Sequence, residues 1–262
     1  MITAHPSASA AEPTIGLQEL VARLDGLLEP GRFRDYAPNG LQVEGRATVS
    51  KVVTGVTACQ ALLDRAVAEG ADAVLVHHGY FWRNEAQPVI GLKRRRIATL
   101  INHDMSLLAY HLPLDAHPEV GNNAGLGRAM GVVTSHFFGE QSLGCAGELP
   151  GSLDAGGLAR RLAVTLGREP LLLGDPRRPV GRVGWCTGGA QGYFADAIAA
   201  GVDVFVTGEV SEACAHLAQE SGVAFIAAGH HATERFGVCS LAAWLAADVG
   251  LDCRFIDIPN PV

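Results

Sequence analysis

The sequence has little of what would carry a protein into a membrane or onto a polyanion. No apolar run approaches the roughly 18–20 residues that span a bilayer, although 48% of the 262 residues are hydrophobic and the mean hydropathy is +0.19. A transmembrane helix is thereby excluded. Charged residues are only 18% and the net charge is −7, which speaks against a broad basic surface for gripping phosphates; a local basic groove stays open. Lysine is nearly absent, with Lys51 and Lys93 the two exceptions among 20 basic residues. We read that skew as nucleotide bias, so Lys93-Arg94-Arg95-Arg96 reads as the solvated first turn of a helix. The six cysteines are scattered without a C-x-x-C pair, which suits a reducing cytoplasm and buried thiols better than a disulfide framework or a thiolate zinc site. No G-x-S-x-G occurs, so acyl-enzyme chemistry has no support. Residues 1–12 lack the basic start and apolar core of a signal peptide and read as a disordered tail.

What is present is glycine, 32 residues, about 12% against a usual ~7% and without a collagen period, which indicates a globular chain with many tight turns. The length suits one large domain or two modest ones. Apolar spacing from Ile15 to Leu28 predicts a helix capped by Thr14. A turn at Asn39-Gly40 leads into a short strand. From Val52–Val56 onward strands and helices alternate as in α/β proteins: strands near 73–76 and 107–110, helices near 59–69, 93–102 and 123–130. The stretch 132–173 is mixed, with strands at 132–138 and 143–149 and a helix at 153–166. Alternation then resumes to a last strand at 254–256, passing through a helix at 233–247.

Most of the ten histidines fall in three places, each just past a predicted strand: His77-His78, His111 with Asp115 and His117, and His230-His231 with Glu234. Ligands of open α/β sheets collect beyond the carboxyl ends of strands, so the three clusters can converge in one crevice. Imidazole and carboxylate without thiolate are donors suited to Zn, Mn or Fe ions. Adjacent strand residues face opposite ways, so His77 and His78 either share a centre through a break in the strand or serve different metals. His230 and Glu234 lie four apart, on one face if a helix starts there. Five such donors exceed what one open tetrahedral ion needs, and a two-metal site follows, with Asp115 and Glu234 as bridging or terminal oxygens. His103, His117, His136 and His216 read as surface or core histidines. The turn Thr187-Gly188-Gly189-Ala190-Gln191-Gly192 reads either as a tight structural turn or as an anion cradle at a helix start, though it is neither G-x-G-x-x-G nor a P-loop. Glu209, after Thr207-Gly208, reads as an acid/base or supporting carboxylate, or as an anion favoured by a helix N-terminus.

The blocks His77-His78-Gly79-Tyr80-Phe81-Trp82, Tyr110-His111-Leu112-Pro113-Leu114-Asp115, Thr207-Gly208-Glu209-Val210 and Gly229-His230-His231-Ala232-Thr233-Glu234-Arg235 resemble the signatures of the Nif-three-like dinuclear-metal-centre family. The resemblance runs from about Leu17 to the carboxyl end. It is nearest to the short bacterial form, since no long insertion separates Asp115 from His230. Members carry the name GTP cyclohydrolase 1 type 2 homologue. The resemblance implies two interlinked α/β domains of related topology, with 13–126 plus 226–262 as the first and 127–225 as the second. It implies a toroidal homohexamer and two divalent metals at the domain junction. The family's ligands fall on His77, His78, Asp115, His230 and Glu234; His231 and Glu209 enter only as candidate catalytic proton-transfer groups. The implied activity is a cytoplasmic metal-dependent hydrolase with a small-molecule substrate, under the cyclohydrolase name a purine nucleotide. The alternative is a non-catalytic ring that binds metal or acts as a scaffold, a metallochaperone or DNA-associated partner.

Overall fold

The computed structural model describes residues 13–262, and the expected tail at 1–12 lies outside the described residues. Two large sheets with helices on both faces dominate the fold, beside a two-stranded pairing of Ile15–Gly16 with Thr48–Val49. The first holds five strands in the spatial order Asp252–Phe255, Lys51–Thr57, Ala73–His78, Ser106–Ala109, Gly40–Val43. Its first four strands run parallel and Gly40–Val43 closes one edge antiparallel. The second holds six, in the order His136–Phe138, Gly144–Asp154, Pro179–Trp185, Val204–Thr207, Ala224–Ala227, Leu171–Leu173, with a parallel centre formed by the third to fifth. No helix among the described residues is long and apolar enough to cross a membrane.

Side chains alternate across a strand, and the central strands of the first sheet are apolar on both faces. Val52, Val56 and Leu75 face helices Leu17–Leu28 and Arg235–Trp244 through Leu20, Leu24 and Leu241. Val53, Val74 and Val76 face helices Gln60–Ala68 and Gly91–Asn102 through Leu62, Leu63 and Leu100. The second sheet repeats the arrangement. Val183, Trp185, Val204 and Ile226 pack on helix Ala155–Leu166, while Phe205 and Phe225 pack on Phe194 and Ala218. A sheet buried on both faces reads as near-continuous apolar runs, which is why these strands were visible in the sequence.

Three expectations move. The first helix begins at Leu17 with Gly16 at its cap, not Thr14, because Ile15 and Gly16 are drawn into an antiparallel pairing with Val49 and Thr48. The boundary drawn between 225 and 226 falls inside Ala224–Ala227, all four residues of which pair with Val204–Thr207 in the second sheet. The boundary at 126/127 falls inside helix Asn122–Met130, whose Leu126 and Met130 join the second core while Asn122 accepts the Gly237 N–H. The chain thus returns to the first sheet through residues 228–234, and two of the predicted ligands sit on that crossover.

Candidate metal centre

The parallel strands of both sheets point their carboxyl ends at one crevice. Strand Ala73–His78 ends in the two histidines; Ser106–Ala109 leads into Tyr110, His111 and the short helix Leu112–Ala116 that carries Asp115. From the second sheet, Pro179–Trp185 runs into Thr187-Gly188-Gly189, Val204–Thr207 into Gly208-Glu209, and Ala224–Ala227 into the helix His230–Thr233. The crevice holds a cavity of about 500 Å³, with His78, Asp115, Glu209, His230 and Glu234 among its walls.

The donors converge on Glu234. Its Oε1 lies 3.4 Å from His77 Nε2, and its Oε2 lies 3.3 Å from His78 Nε2 and 3.1 Å from His230 Nε2. Asp115 Oδ1 is 3.5 Å from His77 Nε2. All five predicted ligands are therefore brought together, in the groups His77, Asp115, Glu234 and His78, His230, Glu234. His77 and His78 both remain in the strand, with rings 4.5 Å apart; each joins a group that contains Glu234, and the two also fall together in a group with His111. His230 and Glu234 meet even though the helix breaks at Glu234, where φ is −103° and ψ 5°.

The far nitrogens of the rings explain the near ones. His77 Nδ1 is 3.0 Å from the Tyr110 carbonyl, His230 Nδ1 is 2.7 Å from Glu209 Oε1, and His111 Nδ1 is 2.9 Å from Asp35 Oδ1. Those partners only accept, so each Nδ1 carries a proton, and in the neutral ring it is Nε2 whose lone pair faces the crevice. His78 Nδ1 meets the Thr57 hydroxyl at 3.2 Å. Hydrogen bonds of this kind, from the far nitrogen to a carbonyl or carboxylate, orient imidazoles that bind metals.

Asp115 is fixed by Asn122 Nδ2 at 2.9 Å and the Thr187 hydroxyl at 3.1 Å. His77 Nε2 and Glu234 Oε2 are buried without a hydrogen-bond partner. Glu234 is 2% exposed, and its ion-pair partners among the described residues are imidazoles alone. A buried carboxylate among neutral rings is costly unless a cation neutralises it. The donor set fits that role, nitrogen and oxygen without sulfur, as Zn²⁺, Mn²⁺ and Fe²⁺ take.

The same charges act on the protons of the rings. Burial would lower the His77 imidazole, but the charges of Asp115 and Glu234 override it and raise the group to about 9. His230 is likewise opposed by burial and raised to about 9 by Glu234 and Glu209. His78 goes the other way, to about 3, because burial and the neighbouring histidines outweigh Glu234. Burial opposes ionisation of Glu234, yet His77, His78 and His230 hold it well below its ordinary value. The Asp35 carboxyl, which burial alone would raise, is held at about 2 chiefly by His111, with help from Asn39 and the Leu112 N–H.

The other predicted residues separate. Glu209 lines the cavity, but both its oxygens are engaged, one by His230 and one by Gln191 Nε2, so it holds the His230 ring in place. His231 is turned away from the cavity and its Nε2 bonds Asp257 at 2.8 Å. Adjacent to His230 on a short helix, it leaves on another face. His117 also stays out, accepting the N–H groups of Glu119 and Val120. In the glycine turn, the amides of Thr187, Gly188 and Ala190 are taken by Asn123, Thr233 and Thr207 side chains, which matches the tight structural turn.

Two features lie beyond the sequence reading, Asp35 behind His111 and the aromatic wall of Tyr36 and Trp82; His111, a member of the second histidine cluster, is grouped with His77 and His78. The wall is built with care. Phe81 adopts φ of 65°, a strained value for a bulky residue, and Glu85 accepts the N–H groups of Phe81 and Trp82. The Trp82 indole N–H is tied to the Gly79 carbonyl, and Arg83 bonds the Tyr36 and Asp35 carbonyls. The cluster of turn formers from Asp35 to Asn39 was the available signal.

Comparison with known proteins gives one answer throughout. A Pseudomonas aeruginosa protein named GTP cyclohydrolase 1 type 2 homolog is 54% identical over 94% of this chain and 99% of its own. A Yersinia pestis protein of the same name is 56% identical over 93% and 98%. Among solved structures, protein ybgI, titled as of unknown function, aligns with a TM-score of 0.91 at 51% identity, covering 95% of this chain and all of that one. A Thermus thermophilus protein aligns at 0.86 and 38% identity, with coverage of 95% and 100%. The profile of one family matches residues 15–261, and the chain belongs to it: the Duf34/NIF3 (NGG1p interacting factor 3) family.

Proposed function

We propose that this protein is a dinuclear metal-dependent hydrolase acting on a substrate with a planar ring. One observation carries the reading: imidazoles tied outward through Nδ1 present their Nε2 atoms to two buried carboxylates, Asp115 and Glu234, that pair with no Lys or Arg among the described residues. His77, Asp115 and Glu234 would hold one ion, and His78, His230 and Glu234 the other. Bound there, two divalent cations supply Lewis acidity and water activation near neutral pH.

The chain's own residues do the rest. Glu209 holds the proton on His230 Nδ1, and the Tyr110 carbonyl holds it on His77 Nδ1, so both rings stay in the ligating tautomer. Asn122 and Thr187 fix the direction of Asp115. The cavity is open on this side, since the His230 and Glu209 side chains keep 28% and 34% of their surface. That suits turnover better than the scaffold alternative. Tyr36 and Trp82 stand beside the donors with rings 5.9 Å apart and both 5.0–5.1 Å from His111. A fixed aromatic wall favours a flat π-system over a flexible phosphoester chain, in keeping with the cyclohydrolase name of the relatives.

Metal-loaded wild-type protein and Asp115→Asn are to be compared in a screen of purine nucleotides, cyclic amides and phosphoesters. Asn keeps the size and the Asn122 contact but halves the ligating oxygens, so turnover drops by at least about 100-fold. Equal activity in the variant sinks the reading. For whichever ring substrate turns over, Trp82→Leu raises KM about threefold to tenfold with kcat little changed, because it removes stacking and no reacting group.

A further inference from the structure

The donors from the first sheet and those on the crossover can share ions only if the crossover is held in place. His77, His78 and Asp115 are anchored by a packed sheet. His230 and Glu234 sit on a short turn between two sheets. The second sheet's loops hold it by the Gly229 N–H on the Gly208 carbonyl and by the Thr233 hydroxyl, which accepts the Gly188 N–H.

The remaining hold comes from the last residues of the sequence. After strand Asp252–Phe255, residues 257–262 run back along the far side of the turn. The Val262 carbonyl accepts the His231 N–H at 3.0 Å, and Asp257 Oδ1 accepts the His231 Nε2–H at 2.8 Å. Asp257 Oδ2 accepts from Arg235, next to Glu234, at 3.2 Å. Arg235 also bonds the Leu166 carbonyl, and Arg168 donates to the Pro261 carbonyl at 3.0 Å, so the segment is tied to the second sheet's helix end as well. The Arg168 guanidinium occupies the space a Cβ of Gly229 would need, at a φ of 100°. Both residues flanking the pair of crossover ligands, His231 inside it and Arg235 just beyond, are thus gripped by one carboxylate.

We infer that residues 257–262 form a strap that positions His230 and Glu234, with Asp257 as its positioning residue and His231 as its anchor point. The inference rests on the metal-centre reading above. Asp257 keeps 38% of its side-chain surface, so its ion pair adds little to global stability. Its removal loosens the turn without unfolding the chain.

The test uses the full chain with Co²⁺ as the probe, followed by its visible d–d bands and by competition with a chromophoric chelator. Asp257→Ala lowers Co²⁺ affinity about tenfold, the lower end for supporting groups behind ligands, and alters the band pattern. Asp257→Asn retains an acceptor for His231 and recovers the wild-type affinity and spectrum. Arg168→Ala, which releases the Pro261 end and removes the guanidinium packed against Gly229, changes affinity in the same direction and serves if Asp257→Ala fails to fold. Wild-type affinity and spectrum in Asp257→Ala, or in Arg168→Ala where that variant substitutes for it, overturn the strap while leaving the metal centre standing. Equal impairment of Asp257→Ala and Asp257→Asn also overturns it. A wild-type protein that binds no Co²⁺ overturns the metal centre and the strap together.

Discussion

Glu234→Gln loses the metal pair and with it the activity. Glu234 belongs to both the group His77, Asp115, Glu234 and the group His78, His230, Glu234, its two oxygens facing His77 on one side and His78 with His230 on the other. Glutamine keeps the shape, but one oxygen becomes an amide NH₂, which donates and cannot ligate, and the negative charge that balances a cation is gone. Supporting groups alone are worth 10–100-fold in metal affinity, so losing a shared ligand costs more than about 100-fold. Isothermal titration with Zn²⁺ or Mn²⁺ reads this directly.

The same substitution changes how the metal-free protein responds to pH. His77 has its folded value raised from 6.5 to about 9 by Asp115 and Glu234 against the opposing effect of burial, so the folded state binds its proton more tightly than the unfolded chain. That contribution is fully present below about 6.5 and is lost as pH rises through about 9. His230 adds to the loss with the same sign. Chelator-treated wild-type protein therefore loses stability between about pH 6.5 and 9. Glu234→Gln flattens that decline, and bound metal removes it by replacing the protons. Urea unfolding at a series of pH values checks all three curves. A wild-type decline unaffected by Glu234→Gln contradicts the assignment.

Gly188→Ala has a comparable effect through shape alone. Gly188 holds φ of 69°, and a Cβ there would lie against Glu234 Oε1 and within 3.3 Å of His230 Nε2. The left-handed backbone costs a non-glycine residue about 1–2 kcal/mol, and the methyl displaces the shared carboxylate. Metal affinity falls about 10–100-fold while the fold is retained. Gly192→Ala in the same turn meets nothing within 4 Å and binds metal as wild type does. If the two variants bind metal alike, the turn does not shape the centre.

The two substitutions mark what the sequence does and does not reveal. That His77, His78, Asp115, His230 and Glu234 meet in one crevice could be read from the sequence because each lies at or beyond the end of an apolar strand, where open sheets of this kind gather their functional groups. Asp35 could not, since it lies in a loop without period and reaches His111 across 76 positions. His231 was misjudged because adjacency on four residues of helix says nothing about which face meets the cavity; Asp257, 26 positions away, claims it. The three-residue edge strand Leu171–Leu173 is too short for a periodic signal. Gly144–Asp154 runs past its expected end at Leu149, through Pro150 and Gly151, because an irregular register against Pro179–Trp185 tolerates residues that a regular ladder rejects. The helix expected at 233–247 starts at Arg235 and loosens into a wider turn at Leu245–Val249, a change of pitch that apolar spacing does not encode.

The most direct test of the central claim is anomalous diffraction from crystals grown with saturating Zn²⁺ or Mn²⁺. The account predicts two ions per chain about 3.5–4 Å apart, one among His77, Asp115 and Glu234, the other among His78, His230 and Glu234, with Glu234 touching both. A single ion, none, or a pair held by other residues contradicts it.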